Sequence, residues 1–79
     1  MEAVDELIKN KRVAYIFSDV IGFLRTNANM SQTKTAKRAN LDGDALGRYE
    51  RAERLPNIEK ADNILRVFGY KLAIVKVEE

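Results

Sequence analysis

Apolar side chains recur three or four positions apart along most of the chain, the spacing that places them on one face of a helix. This pattern predicts five helices, which run over residues 2–11, from Ser18 to near Asn29, over residues 32–39, from Asp42 onward and from Ile58 to Phe68. Ser18, Ser31 and Asp42 are N-cap candidates because their side-chain oxygens can accept a backbone N–H at the start of a helix. The sequence therefore predicts a mainly α fold.

Two residues at predicted helix ends favour the left-handed backbone conformation. Asn40 lies where the chain must turn between the two central helices, and asparagine tolerates a positive φ better than most residues. Gly69 follows the last helical stripe and is a natural C′ residue. Pro56 lies just before that helix, where its fixed φ is tolerated.

The period of the pattern changes from helical to alternating over residues 70–77. Tyr70, Leu72 and Ile74 lie on one side and Ala73, Val75 and Val77 on the other. The alternation predicts a C-terminal β-strand with two apolar faces. A lone strand needs a backbone partner, which is either residues 12–17 of the same chain or a second copy of the protein.

The two short central helices and the tight turn between them have the spacing of a helix-turn-helix motif. A longer set of residues resembles the Xre/Cro/CI repressor-type family over residues 18–70. The matching positions are Leu24, Arg25, Met30, Ser31, Gln32, Ala36, Asn40, Leu41, Leu46, Arg48, Tyr49, Glu50, Pro56, Ile58, Glu59, Ile64 and Gly69. The resemblance implies a repressor-like domain of five helices, with residues 1–17 as an N-terminal helix or extension and the C-terminal strand as an addition.

The resemblance also implies roles in binding double-stranded DNA. Base-facing positions are Gln32, Gly43, Asp44, Gly47 and Arg48, of which the last four would form the exposed face of the recognition helix. Phosphate-facing positions are Ser31, Lys34, Arg51 and Arg54. Arg48 is the best candidate base reader because a guanidinium can bind guanine O6 and N7 together. The alternatives for Arg48, a phosphate contact or a free surface arginine, have about equal weight together.

Arg25 and Glu50 match an ion pair that, in repressors of this family, links the first helix to the end of the recognition helix. Some antitoxins of this fold end in a strand that pairs antiparallel with its copy across a twofold axis. By this resemblance, Tyr70, Leu72, Ile74 and Val75 would form the dimer contact of a homodimer.

Two glycines and an aspartate depart from the family pattern. Gly43 and Gly47 bring no side chain to a base, and each weakens a helix by roughly 1 kcal/mol relative to alanine. Asp44 favours the helix dipole but is repelled by phosphate, so it either accepts from a cytosine N4 amine or, as the favoured alternative, only stabilises the helix dipole.

Composition narrows the class of function. The chain has no cysteine and no histidine, so the usual zinc ligands and the commonest general base are missing, and we expect neither an enzyme nor a cofactor or metal. Residues 25–54 carry seven basic and four acidic side chains, whereas the rest of the chain carries seven and eight. The excess of positive charge therefore lies around the central motif, as expected for a polyanion partner.

The length of 79 residues predicts one domain, with residues 1–17 as the extension, 18–69 as the helical core and 70–77 as the strand. No apolar run approaches the roughly 20 residues of a membrane span, and the start of the chain is acidic rather than basic. We therefore expect a cytoplasmic protein with no membrane partner.

Two functions follow from these observations. The first is a homodimeric, sequence-specific transcriptional repressor. Two forms of it are the antitoxin of a toxin–antitoxin module, with a cognate toxin as partner, and the regulator of a mobile element. The alternative is a protein-interaction module that keeps the fold with weak or no DNA readout, which the two glycines and Asp44 favour.

Overall fold

The computed structural model of the protein describes residues 13–78 and contains four α-helices within that range. Helix α1 spans Val13–Asn27, α2 spans Gln32–Arg38, α3 spans Ala45–Glu50 and α4 spans Ile58–Val67. Helix α1 packs against α3, and α2 packs against both α3 and α4. The helix predicted over residues 2–11 lies outside the described residues.

One apolar core joins the four helices. Its buried side chains are Ile21, Leu24, Ala36, Ala39, Leu46, Tyr49, Ile64 and Leu65. In the first three helices they lie three positions apart, and in α4 Ile64 and Leu65 follow the buried Ala61 by three and four positions, so the inner faces have helical spacing. Fully burying a leucine or isoleucine side chain contributes roughly 1.5–3 kcal/mol, which makes this cluster the main source of stability.

Helix α1 begins earlier than the sequence predicts. It includes Val13 to Phe17, so this segment is neither a strand nor a partner for the C-terminal residues. Ser18 is buried within α1 rather than capping its first turn, and that prediction was wrong. The apolar spacing of Phe17, Ile21 and Leu24 continues through Ser18, and burial of that face outweighs the capping preference of serine.

The turn between α2 and α3 has the geometry that its residues predict. The Ser31 hydroxyl accepts the Lys34 N–H at 3.0 Å and caps α2. Asn40 has a φ of 58°, and the Leu41 N–H then donates to the Ala36 carbonyl at 2.9 Å. This bond ends α2 in a Schellman-type turn and brings the half-buried Leu41 against the core.

Helix α3 starts later than predicted. Its N-cap residue is Asp44, whose side chain makes no capping bond, and the predicted cap Asp42 lies in the preceding turn. Gly43 has a φ of 22° and also lies in that turn. Because these residues lie before the helix, α3 is only six residues long.

Helix α4 is capped by Asn57, whose side-chain oxygen accepts the Lys60 N–H at 2.8 Å. Gly69 has a φ of 89° and closes the helix, as predicted. Ile58 begins the predicted apolar stripe of this helix but is 80% exposed. The buried stripe of α4 begins one turn later, at Ala61, so the helical spacing extends beyond the end of the core.

The C-terminal segment, residues 70–78, contains no strand in this structure. Beyond the turn, the Leu72 N–H donates to Asp62 Oδ1 at 2.9 Å. Ile74, Val75 and Val77 are all largely exposed. The predicted strand is therefore not formed among residues 13–78, because a strand requires a partner and none of these residues supplies one.

Candidate nucleic-acid interface

A three-residue polar network fixes the direction of α3. Arg25 of α1 donates from Nε to Glu50 Oε2 at 2.7 Å and from Nη2 to Glu50 Oε1 at 3.0 Å. Gln32, at the start of α2, donates from Nε2 to the same Oε1 at 3.1 Å. The end of α3 is thus held by side chains from both neighbouring helices, in the fork geometry that is specific to arginine and carboxylate.

Arg25 also reaches the loop that precedes α2. Its Nη1 donates to the Met30 carbonyl at 2.9 Å. The hydrogen bond to Glu50 raises the pKa of the Arg25 guanidinium, while partial burial opposes that rise. The guanidinium therefore stays charged and joins α1, the α1–α2 loop and α3 in one arrangement.

The turn before α3 carries two of the predicted base-facing residues. Gly43 and Asp44 precede the helix instead of lying on its exposed face, which corrects the expectation. Asp44 is exposed, and its Oδ2 lies 3.7 Å from Arg48 Nη2. Arg48 itself projects from α3 into solvent, with about half of its side chain accessible.

Gly47 is buried, although the sequence analysis placed it on the exposed face of the recognition helix. The side chains of Gln32 and Arg51 cover it. A Cβ at this position would lie 3.1 Å from Arg51 Nη1 and 3.6 Å from Gln32 Oε1. The prediction of exposure was wrong because two longer side chains fill the space that the missing side chain leaves.

Arg51 is the C-cap residue of α3 and is paired with a nearby carboxylate. Its Nε donates to Glu53 Oε2 at 2.7 Å, and its Nη2 donates to Glu53 Oε1 at 3.4 Å. These hydrogen bonds raise the pKa of Arg51 and lower the pKa of Glu53. Glu53 was not predicted from the sequence, because a pair two positions apart in an irregular loop has no periodic signal.

The remaining predicted phosphate-facing residues, Ser31, Lys34 and Arg54, are all exposed. The Ser31 hydroxyl accepts a backbone hydrogen bond as the N-cap of α2. Lys34 lies one turn into that helix, and Arg54 lies in the loop after α3. The four predicted dimer residues Tyr70, Leu72, Ile74 and Val75 all lie on the exposed C-terminal segment.

Within residues 13–78, no three acidic side chains lie close enough together to hold a metal ion. In the same range, no helix is long and apolar enough to cross a membrane.

Two short packed helices, with the second braced by the first and by α1, define a helix-turn-helix domain. The helix-turn-helix family model of Xre/Cro/CI type matches residues 21–75, which is more than half of the chain. The chain belongs to this family, whose members are DNA-binding regulators. Comparison with curated proteins gave no match, and neither did comparison with solved structures.

Proposed function

We propose that this protein is a sequence-specific transcriptional repressor that binds double-stranded DNA as a homodimer. The observation that carries the proposal is the bracing of α3 by Arg25 and Gln32 through Glu50, which fixes the direction of the helix from which the exposed Arg48 projects. A helix that is held in place before binding reduces the entropy that binding must cost.

Arg48 is the principal base reader in this proposal, with guanine as its target in the major groove. Its contact with Asp44 at 3.7 Å is long and exposed, so it exchanges readily for a guanine contact. Asp44 is then free to accept from a cytosine N4 amine. Gln32 lies at the edge of the same face, with one amide hydrogen committed to Glu50 and the rest of its amide available.

Lys34, Arg54 and Ser31 flank this face and are proposed to contact phosphates. Phosphate contacts set the register of a protein on the duplex and carry no sequence information. The excess of basic side chains within residues 25–54 supports this assignment.

A second copy of the chain is the proposed partner of the C-terminal segment. Ile74, Val75 and Val77 expose large apolar surfaces, and the segment has alternating side chains without a strand partner among residues 13–78. Antiparallel pairing of two copies would cover these residues and satisfy the backbone. A symmetric dimer also fits a twofold DNA site.

Truncation tests the dimer. Deletion of residues 71–79 should convert the protein from dimer to monomer, or to insoluble protein, in sedimentation equilibrium. A soluble truncated chain that still sediments as a dimer would contradict this assignment.

Within this function, an antitoxin role is the narrower proposal, with a toxin protein as an additional partner. This proposal rests on the resemblance of the C-terminal segment to the terminal strand of antitoxins of this fold, and not on a contact among residues 13–78. Co-expression with the product of an adjacent gene, followed by purification of a stable complex, would support it. Separate elution of the two proteins would count against it.

An interaction module is the second candidate, and specific contacts favour it. Arg48 and Arg51 both lie beside carboxylates, and Gly43 and Gly47 supply no side chain. Such a face offers fewer free donors to bases than an all-cationic one.

The test between the two candidates is affinity for a selected duplex and for a scrambled duplex over a salt series. Repressor function predicts a clear preference for the selected duplex, and Arg48→Ala should cost roughly 1–3 kcal/mol on that duplex. Lys34→Ala is the matched control and should weaken binding to both duplexes alike, with a salt slope smaller by about one per contact. Absence of preference in the parent would favour the interaction module.

A further inference from the structure

The guanidinium of Arg51 fills the space beside Gly47, the buried glycine of the recognition helix. Gly47 lies within α3, and Arg51 follows it by four positions as the C-cap residue, so the Arg51 side chain can reach back over Gly47. Gly47 contributes only backbone to this surface. Arg51 Nη1 lies 3.1 Å from the place where a Cβ of residue 47 would be.

Glycine at position 47 leaves room for this placement. A contact of 3.1 Å is shorter than a relaxed carbon–nitrogen contact, so an alanine Cβ at position 47 would require the guanidinium to shift by a few tenths of an ångström. Glycine costs roughly 1 kcal/mol of helix propensity relative to alanine. The short helix therefore carries a destabilising residue at the position that admits Arg51.

Glu53 fixes which edge of the guanidinium is free. It accepts from Nε and from Nη2 of Arg51, the two nitrogens on one side of the group. A guanidinium has five N–H groups, so two on Nη1 and one on Nη2 remain. One from each nitrogen forms a parallel fork at the end of the side chain, which is the arrangement that binds guanine O6 and N7. About half of the Arg51 side chain is exposed to receive such a partner.

We propose that Arg51 is a second base-contacting residue, directed at guanine, which takes the place of the absent side chain at position 47. Gly47 and Glu53 are its positioning residues. The inference rests on the DNA-binding function proposed above and replaces the expectation that Arg51 neutralises phosphate. Each half-site would then be read by two arginines, Arg48 of α3 and its C-cap residue Arg51.

The experiment compares variants of the full-length chain on the selected duplex and on a scrambled duplex. The readout is the specificity ratio, defined as the scrambled dissociation constant divided by the selected one, together with the salt slope on each duplex. Arg51→Ala should lower the specificity ratio roughly 5- to 150-fold. Arg51→Lys should also lower the ratio while keeping the salt slope, because lysine retains the charge without the fork. Arg54→Ala is the matched control, and it should leave the ratio unchanged while weakening both duplexes.

The positioning residues give independent tests. Gly47→Ala should raise the thermal midpoint, because alanine is the better helix former, and yet lower the specificity ratio. In an Arg51→Ala background, Gly47→Ala should have no further effect on the ratio, as expected when one residue acts through the other. Glu53→Gln should strengthen binding to scrambled DNA by removing a negative charge and should lower the ratio by releasing the guanidinium.

The outcomes separate this inference from the function on which it rests. A parent protein that prefers no duplex overturns both. A parent with clear preference whose specificity ratio is the same in Arg51→Ala overturns only the base contact and makes Arg51 a phosphate contact. Additive effects of Gly47→Ala and Arg51→Ala overturn the positioning role of Gly47.

Discussion

Replacing Arg25 with methionine tests the bracing of the recognition helix. Methionine is similar in length but carries no charge and no donor, so Arg25→Met removes both hydrogen bonds to Glu50 and the bond to the Met30 carbonyl. Glu50 keeps one described donor, the Gln32 amide at 3.1 Å. The variant therefore leaves a carboxylate that is only 10% exposed without its counter-charge.

The size of the loss follows from that burial. Breaking a fully buried ion pair by removing one partner costs about 3–5 kcal/mol. Arg25 is 22% exposed and Gln32 still donates to the carboxylate, so we expect about 2–4 kcal/mol for Arg25→Met. A chain of this length has a total stability of roughly 4–12 kcal/mol, so the loss is a large fraction of it. The melting temperature should fall by roughly 4–8 °C for each kcal/mol.

The assay is urea unfolding followed by far-ultraviolet circular dichroism, with a double variant as the informative comparison. Arg25→Met combined with Glu50→Leu removes both charges, so it should recover most of the stability that the single variant loses. Arg54→Met is the control, because Arg54 is exposed, and it should change the free energy of unfolding by less than about 0.5 kcal/mol. A single variant as stable as the parent, or a double variant no better than the single one, would refute the reasoning.

Three further predictions concern local features of the fold. Ala52 has a φ of 57°, which glycine adopts at no steric cost. Ala52→Gly should therefore raise the free energy of unfolding by about 0.5–1 kcal/mol in urea titrations. A decrease would show that the methyl group contributes to packing. Ser31→Ala should lose about 1 kcal/mol by thermal melting through loss of the α2 cap, whereas Ser31→Asp should keep the cap and yet weaken DNA binding. The hydrogen bonds from Arg66 and from the Leu72 N–H lower the pKa of Asp62. The hydrogen bond from Asp62 to the C-terminal segment is therefore fully formed above the ordinary aspartate pKa of about 3.9. It is lost as pH falls through the lower pKa of the folded protein. The Leu72 amide resonance of the parent should therefore shift only at acid pH. In Asp62→Ala, which has no side-chain acceptor, it should be displaced already at neutral pH, and identical spectra of the two proteins would contradict the contact.

Local signals in the sequence predicted the centre of the fold. Ser31 caps α2, Asn40 turns the chain with a positive φ, and Gly69 closes α4. These features were predictable because each of the three preferences depends on a few neighbouring backbone atoms. The expectation that Arg25 meets Glu50 came from family resemblance, and the structure brings the two together. Spacing alone could not pair residues that are 25 positions apart.

Features that depend on tertiary contacts were not predictable in the same way. Ser18 has the preference of a cap, but the apolar face around it continues in both directions and buries it. Ile58 continues a helical stripe past the point where the core ends. The C-terminal segment has the pattern of a strand, and pattern alone does not supply the partner that a strand requires.

The surface of α3 could not be read from helical periodicity either. A buried Gly47 follows from the path of two side chains, Gln32 and Arg51, which come from different elements. The direction of Arg51 depends in turn on Glu53, in an irregular loop. The side chains offered to a ligand at this face are thus set by packing between elements.

Selection of the full-length protein against a pool of random duplex DNA tests the central claim most directly. Sequence-specific binding by a homodimer predicts enrichment of one motif with twofold symmetry, whose half-sites contain guanine and lie about 10 base pairs apart from centre to centre. The same selection with Arg48→Ala should return a motif that has lost preference at one base pair of each half-site. A pool that stays unenriched through successive rounds, with weak binding that depends only on salt, would contradict the account.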